Sequence, residues 1–310
     1  METFDRASVF SAEHLMQQEF EPTQWLVDNL VPEGLMVLSG APKIGKSFLS
    51  LELAVAVATE GSFLGHPTSK KRGVLVLALE DGPARLFNRM KTAEFPAPEN
   101  LYFSTEAADV EAPEKLERYL LQHPFVDLVI IDTLGFYLPP SSSRGQNAYD
   151  NDVARMRAIK KIVQATSSSI ILIHHDKQGE EGDWANKING TSGIIGTADT
   201  LGRLSVAKRG AREASFQITG RDIEDIELAL KLDDATMRWS VDKKRDLETL
   251  TELQMEVLNL IPFSPEQISN QEIRKIINRK SPQISEILSK LKKRGHIEGR
   301  GYGCYGRVST

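Results

Sequence analysis

Short, continuously apolar runs alternate with longer amphipathic segments between positions 25 and 241. Continuous hydrophobicity, as opposed to strict alternation, is typical of strands in a parallel sheet that helices cover on both faces. The pattern predicts strands at 35–40, 73–80, 100–105, 126–132 and 169–175, and helices at 46–59, 83–93, 112–122 and 150–166. We therefore expect an α/β fold with a doubly wound, mostly parallel sheet.

The pattern changes after Asp199. Four short segments of β-type composition follow one another with turns between them: LGRLSVAKRG, EASFQITGRD, IELALKLDD and TMRWSVD. Consecutive strands joined by short turns pair antiparallel. This stretch predicts an antiparallel extension at one edge of the sheet.

The last part of the chain predicts a second, smaller unit. Its segments are a helix at 247–260, a break at 261–267, a helix opened by a Ser269–Glu272 capping box, a helix at 281–293 ended by Gly295, and a glycine-rich hairpin. That order is the order of a winged helix-turn-helix. The predicted divisions are an N-terminal segment (1–24), an α/β domain (25–241) and a winged helix domain (242–310).

Composition narrows the class of protein without naming a function. The 310 residues are 40% hydrophobic and 26% charged, as in ordinary globular proteins. No apolar run is long enough to cross a bilayer, the first residues lack the pattern of a secretory signal, and Cys304 is the only cysteine. These features predict a cytoplasmic protein without disulfides or a membrane partner.

Charge is unevenly distributed between the two units. Residues 243–310 carry 13 Lys and Arg against 8 Asp and Glu, a net charge of +5, whereas the whole chain carries −5. The preceding residues therefore carry −10. A basic appendage on an acidic body favours a polyanionic partner for the appendage, although lysine-rich solvated helices produce the same charge.

The segment GAPKIGKS, residues 40–47, fits the phosphate-binding pattern G-x-x-x-x-G-K-[ST] between a predicted strand and a predicted helix. Gly40 and Gly45 let backbone N–H groups point at phosphate oxygens, Lys46 reaches the β- and γ-phosphates, and the Ser47 hydroxyl ligates Mg²⁺. The residues expected to bind nucleotide are Gly40, Ala41, Pro42, Lys43, Ile44, Gly45, Lys46, Ser47 and Phe48. The sequence therefore predicts ATP and Mg²⁺ at this loop, since NKIN at 186–189 differs from the NKxD pattern that reads guanine.

Two acidic residues end predicted strands. Asp132 ends VDLVIID and is expected to serve Mg²⁺. The next residue is Thr133, so a base for hydrolysis must come from another strand. Glu80 ends GVLVLALE and is the candidate, with a helix-capping role as its alternative and Asp81 as the expected cap.

His174 and His175 end the strand SIILIHH. A histidine there is placed to sense the γ-phosphate and to affect the loop that follows, or the pair is structural. Metal binding by these histidines is not expected, because no third histidine or cysteine lies at ligand spacing.

Taken together, the motifs resemble those of RecA-like ATPases and, more closely, of RepA-type hexameric replicative helicases related to DnaB. The segments that carry the resemblance are WLVDNLVPEGLMVLSGAPKIGKS, LALEDGPARLFNRM, VDLVIIDTLGFY, LIHHDKQG, NGTSGIIGTADT and TGRD, within residues 22–233. The resemblance implies that Glu80 activates water, that Asp132 serves magnesium and that His174 or His175 is the sensor. It also implies a homo-oligomeric ring, a hexamer.

The resemblance assigns partners to further segments. Arg221 in TGRD is similar to an arginine that reaches the neighbouring subunit's site, with Lys208, Arg209 and Arg212 as competitors. The loops 138–152 and 176–193 would grip single-stranded DNA. These loops carry few basic residues, namely Arg144, Lys177 and Lys187. Unlike in DnaB, no primase-binding domain is expected before the ATPase motifs.

The C-terminal unit has its own expected partner, either duplex DNA or a protein. For duplex DNA, the helix at 281–293 would enter the major groove. The expected contacts come from Arg279, Lys280, Lys290, Lys292, Lys293 and Arg300. Three functions therefore stay open: a helicase of a plasmid, phage or mobile element, an ATP-switched DNA-binding regulator or loader, and a filament-forming recombinase.

Overall fold

The computed structural model describes residues 11–106, 112–138, 148–176, 192–208, 210–248, 250–277, 281–301 and 303–308. In chain order, the helices are α1 (Ala12–Met16), α2 (Lys46–Thr59), α3 (Pro83–Thr92), α4 (Ala112–Gln122), α5 (Leu134–Tyr137), α6 (Ala148–Thr166), α7 (Ser192–Thr197), α8 (Lys243–Glu248), α9 (Glu252–Leu260), α10 (Asn270–Ile277) and α11 (Ser281–Lys293). The strands are β1 (Trp25–Val27), β2 (Val31–Pro32), β3 (Leu35–Ser39), β4 (Ser62–Phe63), β5 (His66–Pro67), β6 (Gly73–Ala78), β7 (Leu101–Ser104), β8 (Val126–Asp132), β9 (Ser169–Ile173), β10 (Thr200–Val206), β11 (Glu213–Gly220), β12 (Ile226–Leu232), β13 (Trp239–Val241), β14 (Ile268–Ser269), β15 (Ile297–Gly299) and β16 (Cys304–Arg307).

A nine-stranded sheet organises the described part of the chain, in the order β13-β12-β11-β10-β3-β9-β8-β6-β7. The strands from β10 to β7 in this order pair in parallel, and β10, β11, β12 and β13 pair antiparallel in sequence. All the strands and helices predicted between positions 35 and 175 are present, with ends that shift by at most two residues. The mixed α/β architecture with a large, mostly parallel sheet is thus confirmed.

Two apolar layers enclose the sheet. On one face, α2 and α3 pack with the β1–β2 hairpin, and on the other face α4 and α6 pack with α5. Every residue of β3 and of β9 is buried. This double coverage explains why the central strands are apolar at every position.

The antiparallel extension predicted after Asp199 is present, since β10, β11, β12 and β13 pair antiparallel in turn. The sequence did not predict how the extension joins the parallel sheet. The segment LGRLSV lies in β10, which also pairs in parallel with β3, from Thr200 beside Met36 to Arg203 beside Ser39. A strand bordered by one parallel and one antiparallel neighbour has no composition of its own that would identify it.

The C-terminal segment forms a small unit with its own apolar cluster, built from α9, α10, α11 and the sheet β14-β16-β15. The Ser269–Glu272 capping box is confirmed, since the backbone N–H of Glu272 donates to Ser269 Oγ at 3.2 Å and the backbone N–H of Ser269 donates to Glu272 Oε2 at 2.9 Å. The single helix expected at 247–260 is instead two helices. Thr251 starts α9 with a capping box to Gln254, which ends the continuity with α8. The winged helix assignment stays a prediction.

A buried charge cluster fixes this unit to the α/β domain. Asp246 on α8 is 0% exposed and accepts hydrogen bonds from Arg294 at 2.5 Å and from His296 Nε2 at 2.6 Å. It also accepts from the backbone N–H of Ala229 on β12 at 3.4 Å. Burial alone would raise the pKa of Asp246, but the hydrogen bonds and charges of His296 and Arg294 outweigh burial and lower it. The carboxylate therefore joins the end of α11 to the antiparallel extension.

No helix in the described ranges is both long enough and apolar enough to span a membrane.

The Asp246→Asn variant tests the charge cluster. Loss of the carboxylate leaves the guanidinium of Arg294 without its buried counter-charge, so we expect the free energy of unfolding of the C-terminal unit to fall by about 3 kcal/mol. Chemical denaturation with proteolysis between α8 and α9 as a second probe measures this. Glu286→Gln is the matched control, because Glu286 forms an exposed pair with Lys290 and its loss should leave stability nearly unchanged.

Acid supplies an independent check of the same carboxylate. The folded-state pKa of Asp246 lies below the ordinary value of 3.8 for an aspartate, so its contribution to stability is fully present above that value and is lost as the pH falls through the folded-state pKa. The stability difference between the native chain and Asp246→Asn should therefore shrink as the pH drops below 3.8. A difference that stayed constant in acid would contradict this role.

Candidate nucleotide-binding site

The strand register brings the site residues to one level at the carboxyl edge of the sheet. It aligns one residue of each central strand in a single row: Leu38, Ile173, Asp132 and Ala78. Gly40, His175 and Glu80 each follow their own strand's member of the row by two positions. In an extended chain, side chains two residues apart point to the same face. The three positions therefore lie level with one another, one repeat beyond the row that contains Asp132, and on the same face as that row.

The phosphate loop has the backbone that its sequence predicts. Lys43 and Gly45 have positive φ angles of 64° and 98°, and Gly45 is the N-cap of α2. A Cβ atom at Gly40 would lie 2.6 Å from the carbonyl oxygen of Leu204, so only glycine fits there. Successive residues in this conformation make a concave row of N–H groups that suits an anion.

Lys46 lies at the centre of the loop and is nearly buried. Its Nζ donates to the carbonyl oxygens of Gly40 at 2.6 Å and Ala41 at 2.9 Å, and it lies 3.3 Å from His175 Nδ1. Burial lowers the pKa of Lys46 to about 8, while the charges of Asp132, Asp176 and Glu80 act in the opposite direction. A desolvated amine beside three carboxylates is a strong partner for phosphate oxygens.

Ser47 and Asp132, the two residues predicted to serve magnesium, lie next to each other. The Ser47 hydroxyl is hydrogen-bonded to the Asp132 side chain. Burial raises the pKa of Asp132, and Glu80 raises it further, whereas the Ser47 hydrogen bond lowers it. One carboxylate and one hydroxyl beside a phosphate loop suit Mg²⁺, which takes few protein ligands and completes its shell with phosphate oxygens and water. This donor set therefore fits the cation.

Glu80 lies in the cleft and does not cap a helix. Its Oε1 accepts a hydrogen bond from the Thr133 hydroxyl at 2.9 Å and lies 3.7 Å from His175 Nε2. The prediction that Asp81 caps α3 was wrong. Gly82 is the N-cap of α3, and the buried carboxylate of Asp81 binds Arg85 and Arg89 instead.

The histidines differ in position. His175 contacts both Lys46 and Glu80, whereas His174 does not line the cleft. Of the two histidines, His175 is therefore the one placed at the cleft, and its role as a γ-phosphate sensor stays a prediction. The cleft has a volume of about 430 Å³, and its walls are Lys43, Gly45, Lys46, Ser47, Phe48, Glu80, Asp81, Arg85, Arg89, Asp132, His175 and Met237.

Arg221 lies far from this cleft. Its backbone N–H donates to the carbonyl of Asp199, which borders the first residue of β3, and its side chain donates to the carbonyl of Gly196. It is therefore at the amino edge of the sheet, opposite the phosphate loop. Among its competitors, Lys208 and Arg212 flank the turn between β10 and β11 at the carboxyl edge, and Arg209 lies outside the described residues. The trans arginine stays a prediction.

Sequence reasoning missed several residues of the cleft. Arg85 and Arg89 lie on α3 and line the opening, with the Arg89 guanidinium 5.9 Å from the centroid of the Phe48 ring. Met237 comes from the turn before β13, 190 residues after the loop. The arginine spacing in PARLFNRM was a usable signal, but nothing in the sequence marked Met237. The predicted DNA loops lie mostly at 139–147 and 177–191, outside the described residues.

The fold and the cleft define a RecA-like P-loop protein, and comparisons with known proteins agree. A family model described as AAA domain matches residues 2–181, more than half of the chain, so the chain belongs to the AAA domain family. A search of curated proteins finds no match.

Two solved structures share the fold. The ATPase domain of G40P is 13% identical with a TM-score of 0.52, and the match covers 67% of this chain and 84% of that one. A DnaB-like replicative helicase, solved to describe its interactions with primase, is 13% identical with a TM-score of 0.53. That match covers 67% of this chain and 57% of the helicase, so the chain spans less than two thirds of the helicase's length.

Substitution of Lys46 tests whether the cleft binds phosphate. Lys46→Ala removes the charged hydrogen-bond donor from the loop, and we expect affinity for Mg·ADP to fall about 10- to 100-fold in calorimetry. Lys70→Ala is the control, since Lys70 is exposed and does not line the cleft. Equal affinities in the two variants would contradict the assignment of the loop.

Proposed function

We propose that this chain is an ATP-hydrolysing DNA motor, a helicase of the RepA type that works as a homo-oligomeric ring. The observation that carries the proposal is the convergence of Lys46, Glu80, Asp132 and His175 on one cleft at the carboxyl edge of a RecA-like sheet. The fold shared with the ATPase domain of G40P and with a DnaB-like replicative helicase supports the choice of motor. Service to a plasmid, phage or mobile element belongs to the same proposal.

The cleft residues divide the work of hydrolysis. The loop amides and Lys46 would hold the phosphates, and Ser47 with Asp132 would hold Mg²⁺, which neutralises phosphate charge when bound. Thr133 occupies one oxygen of Glu80, so the carboxylate keeps a fixed direction and can take a proton from an attacking water. His175 lies between Lys46 and Glu80, so a change at the phosphates reaches the segment after β9 through it.

A ring would complete the site between subunits. The basic residues that line the cleft within the described ranges are Lys43, Lys46, Arg85 and Arg89; Lys43 is exposed, and Arg85 and Arg89 are bound to Asp81. An arginine or lysine from a neighbouring copy would add the missing positive charge. Such a head-to-tail contact closes into a ring.

Substitution of the base separates binding from hydrolysis. We expect Glu80→Gln to bind Mg·ATP with native affinity but to hydrolyse it at least about 100-fold more slowly, because the amide cannot accept the proton. A phosphate-release assay with calorimetry measures both. Glu99→Gln is the matched control at an exposed position outside the cleft. Turnover of Glu80→Gln at the native rate would overturn the assignment of the base.

Unwinding tests the motor itself. The native chain should hydrolyse ATP faster with single-stranded DNA and should separate a forked duplex, and Glu80→Gln should do neither. A purified ring that shows neither stimulation nor unwinding would contradict the helicase.

The second candidate function is an ATP-switched DNA-binding regulator, which the basic C-terminal unit favours. The structure changes which residues could contact DNA. Lys293 pairs with Glu224 of the α/β domain at 2.9 Å, Lys290 pairs with Glu286, and Arg300 pairs with Glu298. Lys292 is exposed, and Arg279 and Lys280 lie outside the described residues. The basic side chains left on the open surface include Lys275 and Lys292.

A pair of charge reversals separates the two functions. If the C-terminal unit is the DNA-binding element, Lys275→Glu with Lys292→Glu should weaken duplex binding at least about tenfold, since each phosphate contact adds to affinity and to its salt dependence. Lys70→Glu with Lys71→Glu makes the same charge change on the α/β domain and is the control. Under the helicase function, single-stranded DNA binding and unwinding should survive both pairs of substitutions.

A further inference from the structure

Trp239 contacts the phosphate loop from the far end of the domain sequence. It opens β13, the edge strand of the sheet, and is 2% exposed. Its indole Nε1–H donates to the carbonyl oxygen of Gly45 at 3.3 Å. A Cβ atom at Gly45 would lie 3.0 Å from the same nitrogen, so the indole and the loop backbone are in direct contact.

The hydrogen bond acts on the peptide group that matters for phosphate. The carbonyl of Gly45 and the N–H of Lys46 belong to one planar peptide unit, in which they point in opposite directions. The same carbonyl accepts the first helical bond of α2, from the N–H of Leu49 at 3.1 Å. Fixing this oxygen on the helix side therefore directs the N–H of Lys46 to the open side of the loop.

Trp239 is held in place by a buried carboxylate on α2. Glu52 accepts from the backbone N–H of Trp239 at 3.2 Å and from the Arg238 guanidinium at 3.1 and 3.3 Å. The Arg238 guanidinium also lies 5.2 Å from the centroid of the Phe95 ring. Because Glu52 lies on the helix that the loop begins, both ends of the contact are fixed to α2.

The turn before β13 is also ordered by its own hydrogen bonds. Asp233 accepts from the backbone N–H groups of Ala235 and Thr236, and its carbonyl accepts from the N–H of Met237. This turn places Met237 in the wall of the cleft beside Trp239. Trp239 itself does not line the cleft, so any effect on a nucleotide passes through the loop backbone.

We propose that Trp239 is a positioning residue for nucleotide binding, which orients the Gly45–Lys46 peptide of the phosphate loop through its indole N–H. The inference rests on the proposed binding of nucleotide at this loop and extends it to a residue 194 positions away in sequence. Since it acts on the phosphate cradle, it should affect every ligand that carries the same phosphates, with or without a base.

The Trp239→Phe variant keeps an aromatic ring at the site and removes the donor. We expect its affinity for a non-hydrolysable Mg·ATP analogue to fall about three- to tenfold, as for one lost hydrogen bond. Inorganic tripolyphosphate with Mg²⁺ should lose affinity by the same factor. Trp25→Phe is the matched control, because Trp25 is half-buried on β1 and does not contact the loop. Calorimetry measures the affinity of each of the two variants for each of the two ligands.

A second measurement keeps Trp239 and does not depend on the stability of that variant. In the Trp25→Phe and Trp184→Phe double variant, Trp239 is the only tryptophan. Its fluorescence emission should change when either ligand is added without DNA, because ligand binding alters the indole hydrogen bond and the electric field at the ring. The dissociation constant from this titration should equal the one measured by calorimetry.

The outcomes are distinguishable. The positioning role would be overturned, with nucleotide binding intact, if Trp239→Phe bound both ligands with native affinity. It would also be overturned if the emission of Trp239 did not change at saturating ligand. A loss for the ATP analogue but not for tripolyphosphate would also overturn it, since the effect would then belong to the base. Absence of any nucleotide binding by the native chain would overturn the proposed function together with this inference.

Discussion

Parallel pairing of β3, β9, β8 and β6 is the constraint on which the rest of the structure depends. Pairing in one direction brings four carboxyl ends to one edge. The register sets Asp132 level with Ala78 on one side and, by way of Ile173, with Leu38 on the other. A slip of one residue in any of these strands would turn its terminal side chain to the other face. The cleft therefore depends on this register, which places the residues that end the four strands at one edge.

The buried charged groups at this edge favour the binding of a charged ligand. Lys46 is desolvated, which lowers its pKa, and Asp132 is desolvated, which raises its pKa. Burial makes the charged form of each group costly, and phosphate with a divalent cation would offset both costs at once. Arg85 and Arg89 share the single carboxylate of Asp81, so this border of the opening keeps an excess of positive charge.

Much of the fold could be predicted from sequence because each central strand is a continuous apolar run between clear breaks. The phosphate loop, Glu80 and Asp132 were predictable for the same reason, since each ends such a run. The parallel pairing of β10 was not, because pairing is decided by a neighbour and not by the strand's own composition. Neither was the contact of Trp239 with Gly45, since nothing local joins residues so far apart in sequence. The break between α8 and α9 depends on Thr251, whose cap competes with continuation of the helix.

The segment that contacts the phosphate loop also leads to the C-terminal unit. β13 ends at Val241, and α8 begins two residues later with Asp246 on its buried side. The backbone N–H of Asp242 donates to the carbonyl of Ala229, and Asp246 accepts from the N–H of the same residue, so the junction is fixed to β12 at both points. Because the connection is short and hydrogen-bonded to β12, it restricts movement of the two units relative to each other. Lys293 and Arg294 are bound to Glu224 and Asp246, so this side of the end of α11 faces the α/β domain and α8, whereas Lys292 of the same turn is exposed. A nucleic acid that bound Lys293 or Arg294 would first have to displace those carboxylates, so the docked arrangement competes with duplex binding through these two side chains.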